Sequence, residues 1–336
     1  MDLLRFLFLA VAGFLLQGCA PGLTAPTSHQ ASQTTLGRAS KAIWVWEAET
    51  LRLLEDRAFE AQAVDLLRAH HFRTLYLYAD DYRGRNPILN ERASCRGLLR
   101  RLHEAGLRVE ALLGSYPLKT WEYVLPERDQ PARAMLQHVL DFNAGAPVEE
   151  RFDGIHLDIE PYVLDTWNET TRIAISRLYL DRSREWVAMA RQADRSLIIG
   201  AAIPFWYDGF EVEWEGMKRP LNAHVQGIYD YVALMDYRNQ AEGPDGIIAH
   251  ARDEMAYASA SGKRVVIGLE TGEAEPAKLT FRHLGAEAMA REIATTTRAF
   301  HRETAFAGFA IHHLQTWMEL ISKVPVHPAT LPSPGP

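Results

Sequence analysis

Cysteine is almost missing from this chain, with Cys19 and Cys95 the two examples in 336 residues. Once Cys19 is set aside, no intramolecular disulfide can form, so stability must come from a packed core. Basic charge is not in excess either: 36 Lys and Arg face 43 Asp and Glu, for a net charge of −7. Such a balance offers no field to draw in a phosphate backbone, which excludes nucleic acid as an expected partner. The apolar run from Phe6 to Leu16 is too short to cross a bilayer as a helix. No His-Glu-x-x-His spacing accompanies His70-His71 or His312-His313, and neither Ser115 nor Ser196 sits in a Gly-x-Ser-x-Gly elbow. No metal, cofactor or serine-hydrolase chemistry is therefore expected.

What the chain does have begins with its leader. Arg5 followed by the apolar run marks residues 1–18 as a secretion signal. The signal closes on Leu16-Gln17-Gly18-Cys19, which resembles the lipobox of bacterial lipoproteins. That resemblance implies lipidation of Cys19 and contact with the membrane through the lipid anchor only. Ala20, in place of Asp, is similar to outer-membrane sorting signals. Residues 19–40 are rich in Ser, Thr, Gln, Pro and Gly and read as a flexible tether, and residues 324–336 hold five prolines and read as a loose tail. Cys95 lies in a helix-like stretch without a His base, so it reads as structural.

Residues 41–323 have the length of one (β/α)8 TIM barrel, an α/β fold in a single domain. Eight short apolar runs alternate with amphipathic stretches, as parallel strands covered by helices require. The runs are Ala42 to Trp46, Thr74 to Tyr78, Arg108 to Leu113, Gly154 to Ile159, Leu197 to Ala202, Tyr231 to Met235, Arg264 to Leu269 and Gly308 to His312. Helices are expected at Leu51 to His70, Cys95 to Ala105, Pro131 to Phe142, Thr170 to Ala193, Ile247 to Ser261 and Gly285 to Phe300, with Trp206 to Tyr229 a long connection. An open doubly wound sheet would show a similar pattern, but no Gly-rich phosphate loop follows the first strand.

Polar residues gather at the C-terminal strand ends, where barrels assemble their sites. They are Glu47, Asp80 and Asp81, Asp158 and Glu160, Asp236 with Tyr237 and Arg238, Glu270, and His312 with His313. Trp44, Trp46, Trp206 and Tyr207 lie nearby. Carboxylates that bond hydroxyls, beside aromatic faces that stack on sugar rings, point to a glycan cleft. In the run Phe152 to Tyr162, a period of two turns His156, Asp158 and Glu160 together into the barrel. Crowded carboxyls push one pKa up, which supplies the protonated acid that glycosidic cleavage needs.

This segment resembles the fourth-strand motif Asp-x-x-Asp-x-Asp-x-Glu of the chitinase family, glycoside hydrolase family eighteen, matched by Asp153, His156, Asp158 and Glu160 at three of four positions. The resemblance implies that Glu160 is the general acid and that Asp158 orients a substrate acetamido group, which attacks the anomeric carbon. Met235-Asp236-Tyr237 resembles the family's sixth-strand element and implies that Tyr237 bonds the acetamido carbonyl. Asp153, His156, Trp46, Asp80, Trp206, Asp236, Arg238, Glu270 and His312 are the expected substrate-binding set. Three positions depart from the family: His156 replaces an inner Asp, Arg238 an Asp, and His312 the floor Trp. Two other readings stay open. In one, Glu160 before Pro161 is the acid and base of a retaining glycosidase whose nucleophile is Glu270. In the other, the barrel is a glycan-binding envelope lipoprotein without activity.

Overall fold

The computed structural model describes residues 40–322, so the expected signal, the lipidation site Cys19, most of the tether and the tail lie outside the described residues. The strands are β1 Ser40–Val45, β2 Phe72–Tyr78, β3 Arg108–Leu113, β4 Gly154–Leu157, β5 Ile198–Pro204, β6 Glu211–Trp214, β7 Met217–Pro220, β8 Tyr231–Met235, β9 Arg264–Glu270 and β10 Phe306–His312. Eight of them close a parallel barrel in the order β1, β2, β3, β4, β5, β8, β9, β10 and back to β1. All eight coincide with the apolar runs read from the sequence, and the fold is a (β/α)8 TIM barrel. The seam pairs Ser40 with Gly308 and Ile43 with Ile311. Gly308 sits at φ +116°, and a Cβ there would fall 1.9 Å from the Ser40 carbonyl oxygen, so closure at this point demands glycine.

The helices are α1 Glu47–Glu55, α2 Arg57–Ala69, α3 Arg92–Glu104, α4 Asp129–Asn143, α5 Arg172–Ala193, α6 Leu221–Ile228, α7 Ile247–His250, α8 Arg252–Ser261, α9 Gly285–Phe300 and α10 Leu314–Ser322. The expected helix Leu51 to His70 is two helices. Asp56 takes an extended conformation and accepts hydrogen bonds from the Ala58 and Phe59 amides, both at 3.0 Å, which starts α2 afresh. The stretch from Ile247 to Ser261 likewise divides at Ala251. The connection Trp206 to Tyr229 holds a hairpin, β6 and β7, and the helix α6. Its turn residues Glu215 and Gly216 have φ of 50° and 75°, as a two-residue hairpin turn requires.

Strand alternation sorts the core into two shells. Ile155, Leu157 and Ile159 pack outward with the helices, while Trp44, Tyr76, Leu112, Tyr231 and Val266 fill the barrel interior. Tyr231 fits because Gly200 leaves room: a Cβ there would lie 2.2 Å from its ring. His156 is fully buried among these rings, stacked on Tyr76 with centroids 3.9 Å apart. Trp44 donates its indole N–H to His156 Nε2 at 3.2 Å, and His156 Nδ1 meets the Tyr231 hydroxyl at 2.8 Å. That hydroxyl donates to Glu110 Oε2 at 2.5 Å. Since the indole is a donor only, His156 carries its proton on Nδ1, and burial holds it neutral by pulling its pKa down to about 3. Cys95 is buried on the inner face of α3, and burial pushes its thiol up to about 12, in keeping with a structural role.

Candidate active site

A cavity of about 450 Å³ opens at the C-terminal edge of the barrel. Trp46 and Glu47 enter it just after β1, Ser115, Tyr116 and Trp121 after β3, and Asp158 and Glu160 after β4. Met235 and Tyr237 come from the end of β8, and His312 and His313 from the end of β10. The β4 ladder stops at Leu157, yet the Asp158 amide still donates to the Leu113 carbonyl at 2.8 Å, so the carboxyl-bearing segment leaves the barrel in register. Gly114 makes this possible: a Cβ there would sit 2.2 Å from the Asp158 carbonyl oxygen.

Asp158 and Glu160 lie together at the mouth of the barrel, near enough for the Glu160 charge to act on Asp158. Burial, and then the Glu160 charge, hold Asp158 well above the usual carboxylate range. Burial raises Glu160 too, against the Tyr162 hydroxyl, which donates to Glu160 Oε1, and against His312. Asp158 Oδ1 is buried without a hydrogen-bond partner among the described residues. Both carboxyls are thus held more readily protonated than in water, which suits one of them to proton transfer. The Tyr237 hydroxyl makes no hydrogen bond to another described residue, and burial raises its pKa, so it remains a donor.

The remaining expected residues divide sharply. Trp46 and His312 line the cavity, and the Trp46 indole donates to His312 Nε2 at 2.9 Å. Glu270 does not line it; the residue is 8% exposed, and its carboxyl accepts from Thr271 N at 2.8 Å and Gly272 N at 2.6 Å and meets His312 Nδ1 at 2.7 Å. Burial alone would raise it, but His312 and the amides outweigh that and leave its pKa lowered. The expectations of Glu270 as nucleophile and as substrate contact are thereby corrected, because each oxygen already serves the protein.

Asp153 is likewise corrected. It lies before β4, at the opposite pole from the cavity, and accepts from Val109 N at 2.7 Å and His103 Nε2 at 3.0 Å. At about 3.3 Å per residue, the four residues of β4 separate it from Asp158. His156 faces inward but one layer too deep, sealed under Trp44 and Tyr76. Asp236 and Arg238 fall to the outer side of β8 by the same alternation that presents Met235 and Tyr237. Asp236 is fully buried on His250 at 3.0 Å, and Arg238 pairs with Asp245 at 2.8 Å over the Phe205 ring. Asp80 is spent on its own loop, accepting from Asp81 N at 2.7 Å, and burial raises it to about 6. Trp206 stands behind the site, edge-on to Tyr162 at 5.1 Å.

Sequence reasoning left Ser115, Tyr116, Trp121 and Tyr162 out of the site. Gly114-Ser115 after the third strand and the aromatic pair on the following loop were the available signals, since that loop folds over the mouth. Among the described residues no group of three or more His, Cys, Asp or Glu could hold a metal ion.

No family model and no curated protein matches the chain. Solved structures do. A GH18 chitinase from Cycas revoluta in complex with (GlcNAc)3 superposes with a TM-score of 0.52 over 84% of this chain and 96% of that one, at 12% identity. The C-terminal domain of a putative chitinase from Desulfitobacterium hafniense DCB-2 gives 0.54 over 84% and 95%, at 10% identity. An exo-beta-1,4-mannosidase from Opitutaceae bacterium strain TAV5 gives 0.50 over 83% and 52%, at 14% identity. The chain shares their fold. At such identities the likeness concerns the barrel, and residue roles rest on the geometry of this chain.

Proposed function

We propose that the chain is a glycoside hydrolase acting on a glycan that contains N-acetylhexosamine. The observation that carries this reading is that Asp158 and Glu160, both raised by burial, share one cavity with the unengaged Tyr237 hydroxyl. Glu160 gives its proton to the glycosidic oxygen as the bond to the anomeric carbon breaks. The acetamido carbonyl oxygen of the substrate attacks that carbon, and an oxazolinium forms. Asp158 takes the charge developing on the acetamido nitrogen, and Tyr237 donates to the acetamido oxygen. Water then opens the oxazolinium, losing its proton to the Glu160 carboxylate.

Substrate assistance is favoured over a protein nucleophile because Glu270 is already held by His312 and two amides. The experiment is cleavage of chitin oligomers and peptidoglycan by wild type and by Glu160→Gln. The amide keeps the shape of the carboxyl but has no acid proton, so turnover should fall by about 10²- to 10⁴-fold with binding retained. De-N-acetylated oligomers should resist the wild type. Equal cleavage of acetylated and de-acetylated oligomers would sink the acetamido mechanism, and wild-type rates in Glu160→Gln would sink the reading as a whole.

A further inference from the structure

Glu270 is a buried carboxylate that the proposed chemistry does not use, and its partners suggest what it does. Both oxygens are occupied: Oε1 by the Thr271 and Gly272 amides, Oε2 by His312 Nδ1 at 2.7 Å. The other ring nitrogen of His312 accepts the Trp46 indole N–H at 2.9 Å. Because an indole can only donate, Nε2 must be bare, which puts the ring proton on Nδ1, facing Glu270. Free imidazole side chains in water favour the opposite tautomer, so the carboxylate selects the form able to receive Trp46. The backbone of Trp46 is fixed independently, its N–H donated to Glu49 Oε2 at 2.8 Å. Glu49 Oε1 in turn takes Gln315 N at 2.7 Å and His313 Nδ1 at 2.5 Å. The indole that lines the cavity is thus held at both ring and backbone.

We propose that Glu270 and His312 form a positioning relay that locks the Trp46 indole as a stacking face for a sugar ring. This rests on the glycan reading above. His312 sits edge-on between Trp46 and Trp44, with ring centroids 5.9 and 5.8 Å away, and 5.7 Å from Tyr237, so the relay also spaces the platform from the residue that meets the acetamido group. Glu270 contributes to glycan affinity without touching the glycan, by removing freedom that Trp46 would otherwise lose on binding.

The test uses the full chain labelled with ¹⁵N at histidine rings and tryptophan indoles, and the β-1,4-linked N-acetylglucosamine trimer as probe. Wild-type His312 should give a bare Nε2 and a protonated Nδ1, and the trimer should shift the Trp46 indole resonance, assigned with Trp46→Phe. Glu270→Gln should release the tautomer and move the free Trp46 resonance toward that of an exposed indole. His312→Phe removes the acceptor and should weaken the trimer by about tenfold. His312→Gln keeps an acceptor oxygen and should restore most of that affinity, with KM rather than kcat carrying the difference between the two variants. A protonated Nε2 in the wild type, or His312→Phe binding the trimer as well as wild type does, would overturn the relay. A trimer that leaves the wild-type Trp46 resonance unmoved while the tautomer is as stated would count against the glycan reading instead.

Discussion

Glu110 shows how a single side chain can make the barrel sensitive to pH without belonging to its site. Burial pushes this carboxyl from 4.5 up to about 7, partly offset by Arg108 and by the Tyr231 hydroxyl. A carboxyl raised in the folded state favours folding while it is protonated. Its contribution is therefore complete below about 4.5 and is lost as pH climbs through about 7. The amount at stake is on the order of 3 kcal/mol. Glu110→Gln should be more stable than wild type at pH 8 and flatten the dependence of the urea midpoint between pH 4.5 and 7; an unchanged pH slope would show that the buried charge is not felt. Glu160 gives the corresponding effect on catalysis. Its raised pKa keeps the acid protonated, so kcat/KM should fall as pH rises through it, and this limb should vanish in Glu160→Gln.

At this same scale the strand period made Asp158 and Glu160 legible, strand-end position did so for Trp46 and His312, and Tyr237 came from the family resemblance. Depth along a strand was not legible. Period two says which side a residue faces and nothing about its layer, so His156 and Asp153 were grouped with residues that lie one and several steps above them. Asp236 and Arg238 failed for the converse reason, since proximity to Tyr237 in sequence places them on the other face.

Among the elements, the breaks were harder to see than the elements themselves. Apolar periodicity runs unbroken from Leu51 to His70, and one extended residue at Asp56 ends one helix and begins the next. Asp56→Ala should lower stability by about 1 kcal/mol, because two amides at the start of α2 lose their acceptor. Asp56→Asn should recover most of it, and chemical denaturation of the three proteins would decide. The β1–β10 seam is a harsher case. Gly308→Ala sets a methyl against the Ser40 backbone at a positive φ, and the strands must separate or shift register. The variant should lose amide-exchange protection along β1 and β10 before it does so along β4 and β5, which lie on the far side of the barrel from the seam. The β6–β7 hairpin escaped notice because its strands are four residues each and mostly exposed, so they carry little apolar alternation.

For the whole molecule, the count and order of strands were readable because each barrel strand is buried on both faces and written as an apolar run. The leader makes a prediction of its own. Cys19→Ser should move the protein from the membrane fraction to the soluble fraction, since stable anchoring takes more than one acyl chain, and that cysteine would carry them. Retention in membranes would remove the lipoprotein assignment. The filled barrel interior has a further consequence for traffic. With Trp44, Tyr76 and His156 stoppering the shaft beneath Asp158, the site is a cup with one rim. A glycan cannot thread through it. On the proposed glycan reading, a long chain would lie across the rim beside Tyr116, which lines the cavity and stands 78% exposed. If the chain is the glycosidase proposed above, substrate and product share a single doorway.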